Sequence, residues 1–65
     1  MEIQSSNISE ADYDGKDLII TFKKGGVYRY LGVPQSVFNA FISADSQGKY
    51  FSQNIKLAYE VRKES

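Results

Sequence analysis

Val27-Tyr28-Arg29-Tyr30 places two phenol rings on either side of one guanidinium, two residues apart. On a strand that spacing sends both rings to one face and the cation to the other. Exposed rings of this kind stack nucleobases, each stack contributing about 1–3 kcal/mol, while neighbouring cations meet phosphates. Cations are close at hand: Lys23 and Lys24 lie just upstream, and Lys49, Tyr50 and Lys56 supply further pieces of the same chemistry. On a nucleic-acid reading Lys23, Lys24, Lys49 and Lys56 meet phosphates, Tyr28, Tyr30 or Tyr50 stacks a base, and Arg29 pairs with phosphate or stacks. Turned inward, the same two rings are core packing, with the hydroxyls left at the edge.

Little else in the chain carries chemistry. It has 65 residues with no cysteine and no histidine, which removes disulfides, thiolate catalysis, the common zinc sites and every histidine-based triad. Ser5, Ser6, Ser46 and Ser52 therefore have no histidine to activate them, and no lysine is placed by sequence as a convincing substitute base. Asp12, Asp14, Gly15 and Asp17 give acids and a glycine in the wrong order for an EF-hand loop, and the closing glutamate is missing; they read as an acidic β-turn. Gly25 and Gly26 sit between two strands rather than between strand and helix, so they form no phosphate-cradling loop of the usual kind. The expectation is a non-enzymatic module, and no cofactor or metal is implied.

Charge narrows the partner without choosing it. Net charge is zero, but residues 1–17 carry Glu2, Glu10, Asp12, Asp14 and Asp17 against Lys16, and the remainder is correspondingly basic. A nucleic-acid binder is usually basic overall, and here no run exceeds two adjacent cations, Lys23-Lys24 and Arg62-Lys63. A solvated surface explains these charges as well. No apolar run approaches the roughly 20 residues of a membrane span, and Met1-Glu2-Ile3-Gln4 lacks the basic start and apolar core of a secretory signal. The expected compartment is cytoplasmic, with no membrane association.

The elements that must position these residues can be read from periodicity. With 42% hydrophobic and 14% aromatic residues, one domain over 1–65 has enough apolar surface for a compact core. Residues 3–13 place Ile3, Ile8, Ala11 and Tyr13 at a spacing that changes parity near Ser9, which predicts a bulged strand. Asp14-Gly15 is a turn signal. Residues 17–23 alternate Leu18, Ile20 and Phe22 on one face of a second strand, and after a glycine-bearing turn residues 27–31 return antiparallel.

Register decides where the tyrosines point. A three-residue turn closed by a glycine bulge, whether Lys23-Lys24-Gly25 or Lys24-Gly25-Gly26, puts Tyr28 and Tyr30 on the face of Leu18, Ile20 and Phe22. A two-residue turn flips parity and drives Arg29 into the core, at several kcal/mol of desolvation. The odd-length turn is therefore favoured, and with it inward-facing tyrosines.

The second half reads as two helices. Pro34 suits a first helical position, and Val37, Phe38, Phe41, Ile42 and Ala44 form one apolar stripe through about Asp45. Ser46 is a candidate N-cap for the next helix, with Gly48 weakening its first turn by about 1 kcal/mol relative to alanine. Tyr50, Phe51, Ile55, Leu57, Ala58 and Val61 then make an apolar arc, opposite a polar stripe of Lys49, Gln53, Lys56, Glu60 and Lys63. The fold class is α+β: a small antiparallel sheet of about three strands followed by two helices packed on one face.

In order, Ser5-Ser6-x-Ile8, Tyr13-Asp14, Leu18-x-Ile20-x-Phe22, Gly25, Tyr28-x-Tyr30, Val33-Pro34, Val37-Phe38, Ala44-x-Ser46-x-Gly48-x-Tyr50-Phe51 and Ile55-Lys56-x-x-Tyr59 resemble the KTSC domain family. That family takes its name from a segment at the C-terminus of some lysyl-tRNA synthetases and also occurs as short stand-alone bacterial proteins. The resemblance spans about residues 4–60. Ser52 stands where the family favours asparagine and Lys56 where arginine is common. What the resemblance implies is a domain of this length with a central YxY and a suggested role in RNA binding. Two readings follow: a module for RNA or other single-stranded nucleic acid, or a protein-interaction module docking through a sheet edge or the aromatic start of the last helix. Either is expected to be a monomer or a weak homodimer formed by strand addition.

Overall fold

The computed structural model describes residues 2–64. Three strands come first, β1 (Ile8–Tyr13), β2 (Leu18–Phe22) and β3 (Gly26–Tyr30), then α1 (Gln35–Ser43) and α2 (Gln47–Asn54), and finally β4 (Val61–Lys63). The sheet is antiparallel throughout, in the order β1-β2-β3-β4. The α+β class and the three leading strands are as read from the sequence, except that the first begins at Ile8 and residues 3–7 form an irregular arm before it; β4 is an addition.

The predicted irregularity in β1 is present: Ile8 pairs with Phe22 and Glu10 with Thr21, so Ser9 is the extra residue of a bulge. That bulge reconciles the parity change and lets Ile8 and Ala11 both be buried. At the β1–β2 turn Asp14 Oδ1 accepts from the backbone N–H groups of Lys16 and Asp17, at 2.9 and 2.7 Å. The next turn is odd in length, as expected from the cost of burying Arg29. Phe22 pairs with Gly26, leaving Lys23-Lys24-Gly25 between the strands. Gly26 opens the return at φ +87°, a conformation open to glycine and strained for a residue with Cβ.

Both helices lie on one face of the sheet. The core beneath them joins Ile3, Ile8, Ala11, Leu18, Ile20, Tyr30, Val33, Phe41, Phe51 and Ile55. Pro34 is the N-cap of α1 with extended backbone, one residue before the predicted helical position, and its carbonyl accepts from Val37 and Phe38. Tyr13 closes the far end: its ring stacks on Phe38 at 4.8 Å and its hydroxyl donates to the Val33 carbonyl at 2.5 Å. Ser46 is the N-cap of α2, without a side-chain hydrogen bond to the helix.

The second helix is shorter than its periodicity suggests. It stops at Asn54, Ile55 caps it, and the chain turns back through residues 56–59 to add β4 beside β3. Two expectations are corrected as a result. Leu57 and Ala58 are not part of an apolar arc but are exposed, Leu57 at 92%. Lys49, Gln53, Lys56, Glu60 and Lys63 do not form one helical stripe, because Lys56 and Glu60 follow the helix and Lys63 is in a strand. The turn gains backbone bonds that a longer helix would lose: Leu31 N–H donates to the Glu60 carbonyl at 2.8 Å, and Glu64 N–H to the Val27 carbonyl at 2.7 Å. No helix among the described residues is long and apolar enough to cross a membrane.

Candidate nucleic-acid interface

The hairpin register puts Tyr28 opposite Ile20 and Tyr30 opposite Leu18, all on the helix-covered face. Burial is not uniform along that face. Leu18 and Ile20 are buried, as is Tyr30 at 5% exposure, whereas Phe22 and Tyr28, nearer the hairpin turn, are only half-buried. Tyr30 meets Phe51 edge-on at 5.3 Å, so its ring is locked beneath α2. Burial, with Tyr28 adding to it, pushes the Tyr30 phenol above its ordinary pKa, as a neutral core group should behave. Tyr28 instead meets Phe22 edge-on at 5.5 Å at the margin of the core.

That margin is a cleft of about 600 Å³, within the size range of small-molecule sites. Phe22, Tyr28 and Tyr30 supply its aromatic wall, Lys23, Lys24 and Gly25 its hairpin side, Ser6 and Asn7 the opposite side, and Val61 the β4 end. The N-terminal arm is held there by backbone bonds. Lys23 N–H donates to the Asn7 carbonyl at 2.8 Å, and Ser5 Oγ accepts from Asn7 and Ile8 N–H at 3.2 and 3.3 Å. Among the described residues, no carboxylate lines the cleft. One more cation stands beside it: β4 aligns Lys63 with Tyr28, and directly opposed residues of an antiparallel pair share a face.

A second, polar groove of about 510 Å³ adjoins it, lined by Gln4, Ser5, Ser6, Asn7, Ser46, Gly48, Lys49, Ser52 and Gln53. Its floor is tight. A Cβ at Gly48 would sit 2.8 Å from Ser5 Oγ, so glycine there lets the first turn of α2 close on the arm, and the unfavourable residue of the helix start acquires a packing reason. Gln47 completes the joint, accepting from Gln4 N–H at 2.7 Å and donating to the Ile42 carbonyl at 2.9 Å.

Of the eight residues singled out by sequence, Lys23, Lys24, Tyr28 and Tyr30 line the cleft, with Tyr30 mostly behind its wall. Lys49 lines the adjoining groove. Tyr50 is half-buried against Phe41, the rings 6.4 Å apart, and Lys56 is exposed beyond α2; neither lines either depression. Arg29 is on the opposite, open face of the sheet. Its guanidinium donates to Asp14 Oδ2 at 2.9 Å and Asp17 Oδ2 at 3.1 Å, and Glu64 lies at 3.4 Å. The hydrogen bonds to Asp14 and then Asp17 hold its proton more tightly than usual. The Asp14 carboxyl is held down to about 2, first by the backbone N–H of Asp17, then by that of Lys16, then by Arg29. The acidic turn is thus an arginine clamp, and Arg29 is taken up by it.

Sequence alone did not single out Phe22, Asn7, Ser6, Gly25 and Val61 of the cleft lining, nor Lys63 beside it. Phe22 alternates as a core residue and becomes a cleft wall only because burial falls off toward the hairpin turn. Lys63 needed the strand assignment, for which Tyr59-x-Val61-x-Lys63 offered a two-residue alternation.

Known proteins resemble this chain along most of its length. The KTSC domain family model matches residues 4–59. An uncharacterized protein of Stutzerimonas stutzeri is 39% identical over 56 residues, covering 83% of this chain and 79% of that one. A protein of Tsukamurella paurometabola is 34% identical over 56 residues, covering 83% and 84%. The crystal structure of a KTSC domain protein from Yersinia pestis superimposes with a TM-score of 0.91 at 37% identity, over 100% of this chain and 94% of the other.

Proposed function

The chain belongs to the KTSC domain family, and on that premise we propose that it is a non-enzymatic module that binds single-stranded nucleic acid, RNA foremost, in the cleft beside the hairpin. One observation carries the reading: the half-exposed Tyr28 ring, backed by Phe22, has Lys23 and Lys24 on the same cleft and Lys63 across the strand, with no carboxylate among the described residues of the lining. A base entering the cleft meets the aromatic wall, and its flanking phosphates meet the lysines. The neutral net charge is no obstacle, because the clamp at Asp14, Asp17 and Glu64 gathers acids on the other face around Arg29. We place the domain in the cytoplasm, where RNA is available, as a monomer or weak homodimer.

The test is the affinity for short oligouridylate and oligodeoxythymidylate as a function of salt. Three lysine–phosphate contacts give a slope of log affinity against log salt of about −2 for a single strand. Tighter binding of the ribose series identifies RNA over DNA. Failure to bind either at low salt refutes the proposal. It favours a second reading, a protein-docking module, whose support is Leu57 at 92% exposure and Val61 at 43% on the cleft rim.

A further inference from the structure

The aromatic cleft and the polar groove are bounded by the same two residues, Ser6 and Asn7, both exposed. A polymer leaving the cleft over this pair therefore enters the groove directly. The groove has the chemistry of a backbone-and-edge subsite: Lys49 offers a cation, Gln4, Gln53 and Ser52 offer hydrogen-bonding groups, and among the described residues no ring and no carboxylate lines it. It is also pre-formed, since Gln47 ties the arm to the end of α1 and Gly48 lets α2 close on Ser5.

Resting on the cleft reading, we propose that the groove beside α2 is a second subsite continuous with the cleft, so that the ligand is an extended single strand rather than a mononucleotide. One nucleotide seats its base against Tyr28, the strand crosses Ser6 and Asn7, and a phosphate further along meets Lys49. The length this serves is about four nucleotides, the lower end of the range for small single-strand-binding folds. The arrangement makes the domain select polymer over free nucleotide, a discrimination the cleft alone does not supply.

The experiment is a binding series of mono- to hexauridylate against the whole chain and its Lys49→Gln/Gln53→Ala and Tyr28→Ala variants. Lys49 and Gln53 are exposed on α2, so the double variant keeps the fold. Affinity is expected to climb to about four nucleotides and then level off. The double variant is expected to lose about three- to tenfold for the tetranucleotide, the range of one modest polar contact, and nothing for the dinucleotide. Its salt slope falls by about 0.7, one phosphate fewer. A plateau at the dinucleotide, or a loss that is absent or equal at all lengths, overturns the second subsite while leaving the cleft reading standing, provided Tyr28→Ala weakens dinucleotide binding about fivefold or more. No binding at any length overturns both.

Discussion

Replacing each of the two hairpin tyrosines separates stability from binding. Tyr30 is 5% exposed and packed edge-on to Phe51 at 5.3 Å, so Tyr30→Ala removes a core ring and leaves a cavity, at about 3–5 kcal/mol. A domain of 65 residues has about 3–10 kcal/mol in total, so this variant loses about 30% or more of its stability. Tyr28 is half-buried; losing roughly half of a side chain's burial and the edge contact with Phe22 costs about 1–2 kcal/mol. Its larger effect is on binding, where a lost stack of about 1–3 kcal/mol weakens oligouridylate about 5- to 150-fold. Tyr30→Phe keeps the ring and is expected to change neither property much. Urea unfolding gives the stabilities, and fluorescence anisotropy with labelled oligouridylate gives the affinities of the variants that remain folded. If Tyr28→Ala costs as much stability as Tyr30→Ala, or if Tyr30→Phe loses as much affinity as Tyr28→Ala, the division of labour is refuted.

Three further outcomes follow from the geometry. Leu57→Ser, at a site 92% exposed, is expected to leave the urea midpoint unchanged within about 0.5 kcal/mol; a core-sized loss would restore the longer apolar arc. Gly48→Ala is expected to fail to deliver the helix-propensity gain of about 1 kcal/mol, because the new Cβ meets Ser5 Oγ and displaces it from its bonds to Asn7 and Ile8; a full gain in urea unfolding would contradict that packing. For Asp14, folding lowers the carboxyl from the ordinary 3.8 to about 2, so its stabilisation is complete above the unfolded value and is lost as pH falls through the folded one. Stability is expected to drop across that interval and the drop to shrink in Asp14→Asn. Because the backbone donors contribute before Arg29 does, Arg29→Gln is expected to leave most of the depression, measured by carboxyl carbon shifts in an NMR titration.

The hairpin was legible because one charge fixed its parity: burying Arg29 was too costly, and that alone aimed Tyr28 and Tyr30 inward. The Ser9 bulge was legible for a similar reason, since Ile3 and Ile8 had to share a core with Ala11. The last strand was hidden because Tyr50, Phe51, Ile55 and Ala58 carry helical spacing past the point where the helix ends. A three-residue edge strand owes its existence to pairing with β3 rather than to its own propensity. The candidate site was half legible. Lys23, Lys24 and Tyr28 could be picked by type and spacing, but the cleft exists because burial falls off between Ile20 and Phe22 and between Tyr30 and Tyr28, and no local pattern encodes that. Arg29 was drawn into the site by its neighbours in sequence, and the alternation of the strand carried it to the other face.

The most direct measurement is a map of backbone amide shifts on adding a tetrauridylate at low salt. Shifts concentrated at Asn7, Phe22, Lys23, Lys24, Tyr28 and Lys63, with Ile19, Thr21 and Val27 on the open face unmoved, are the predicted result. Shifts centred on the open face around Arg29, or none anywhere, would contradict the account.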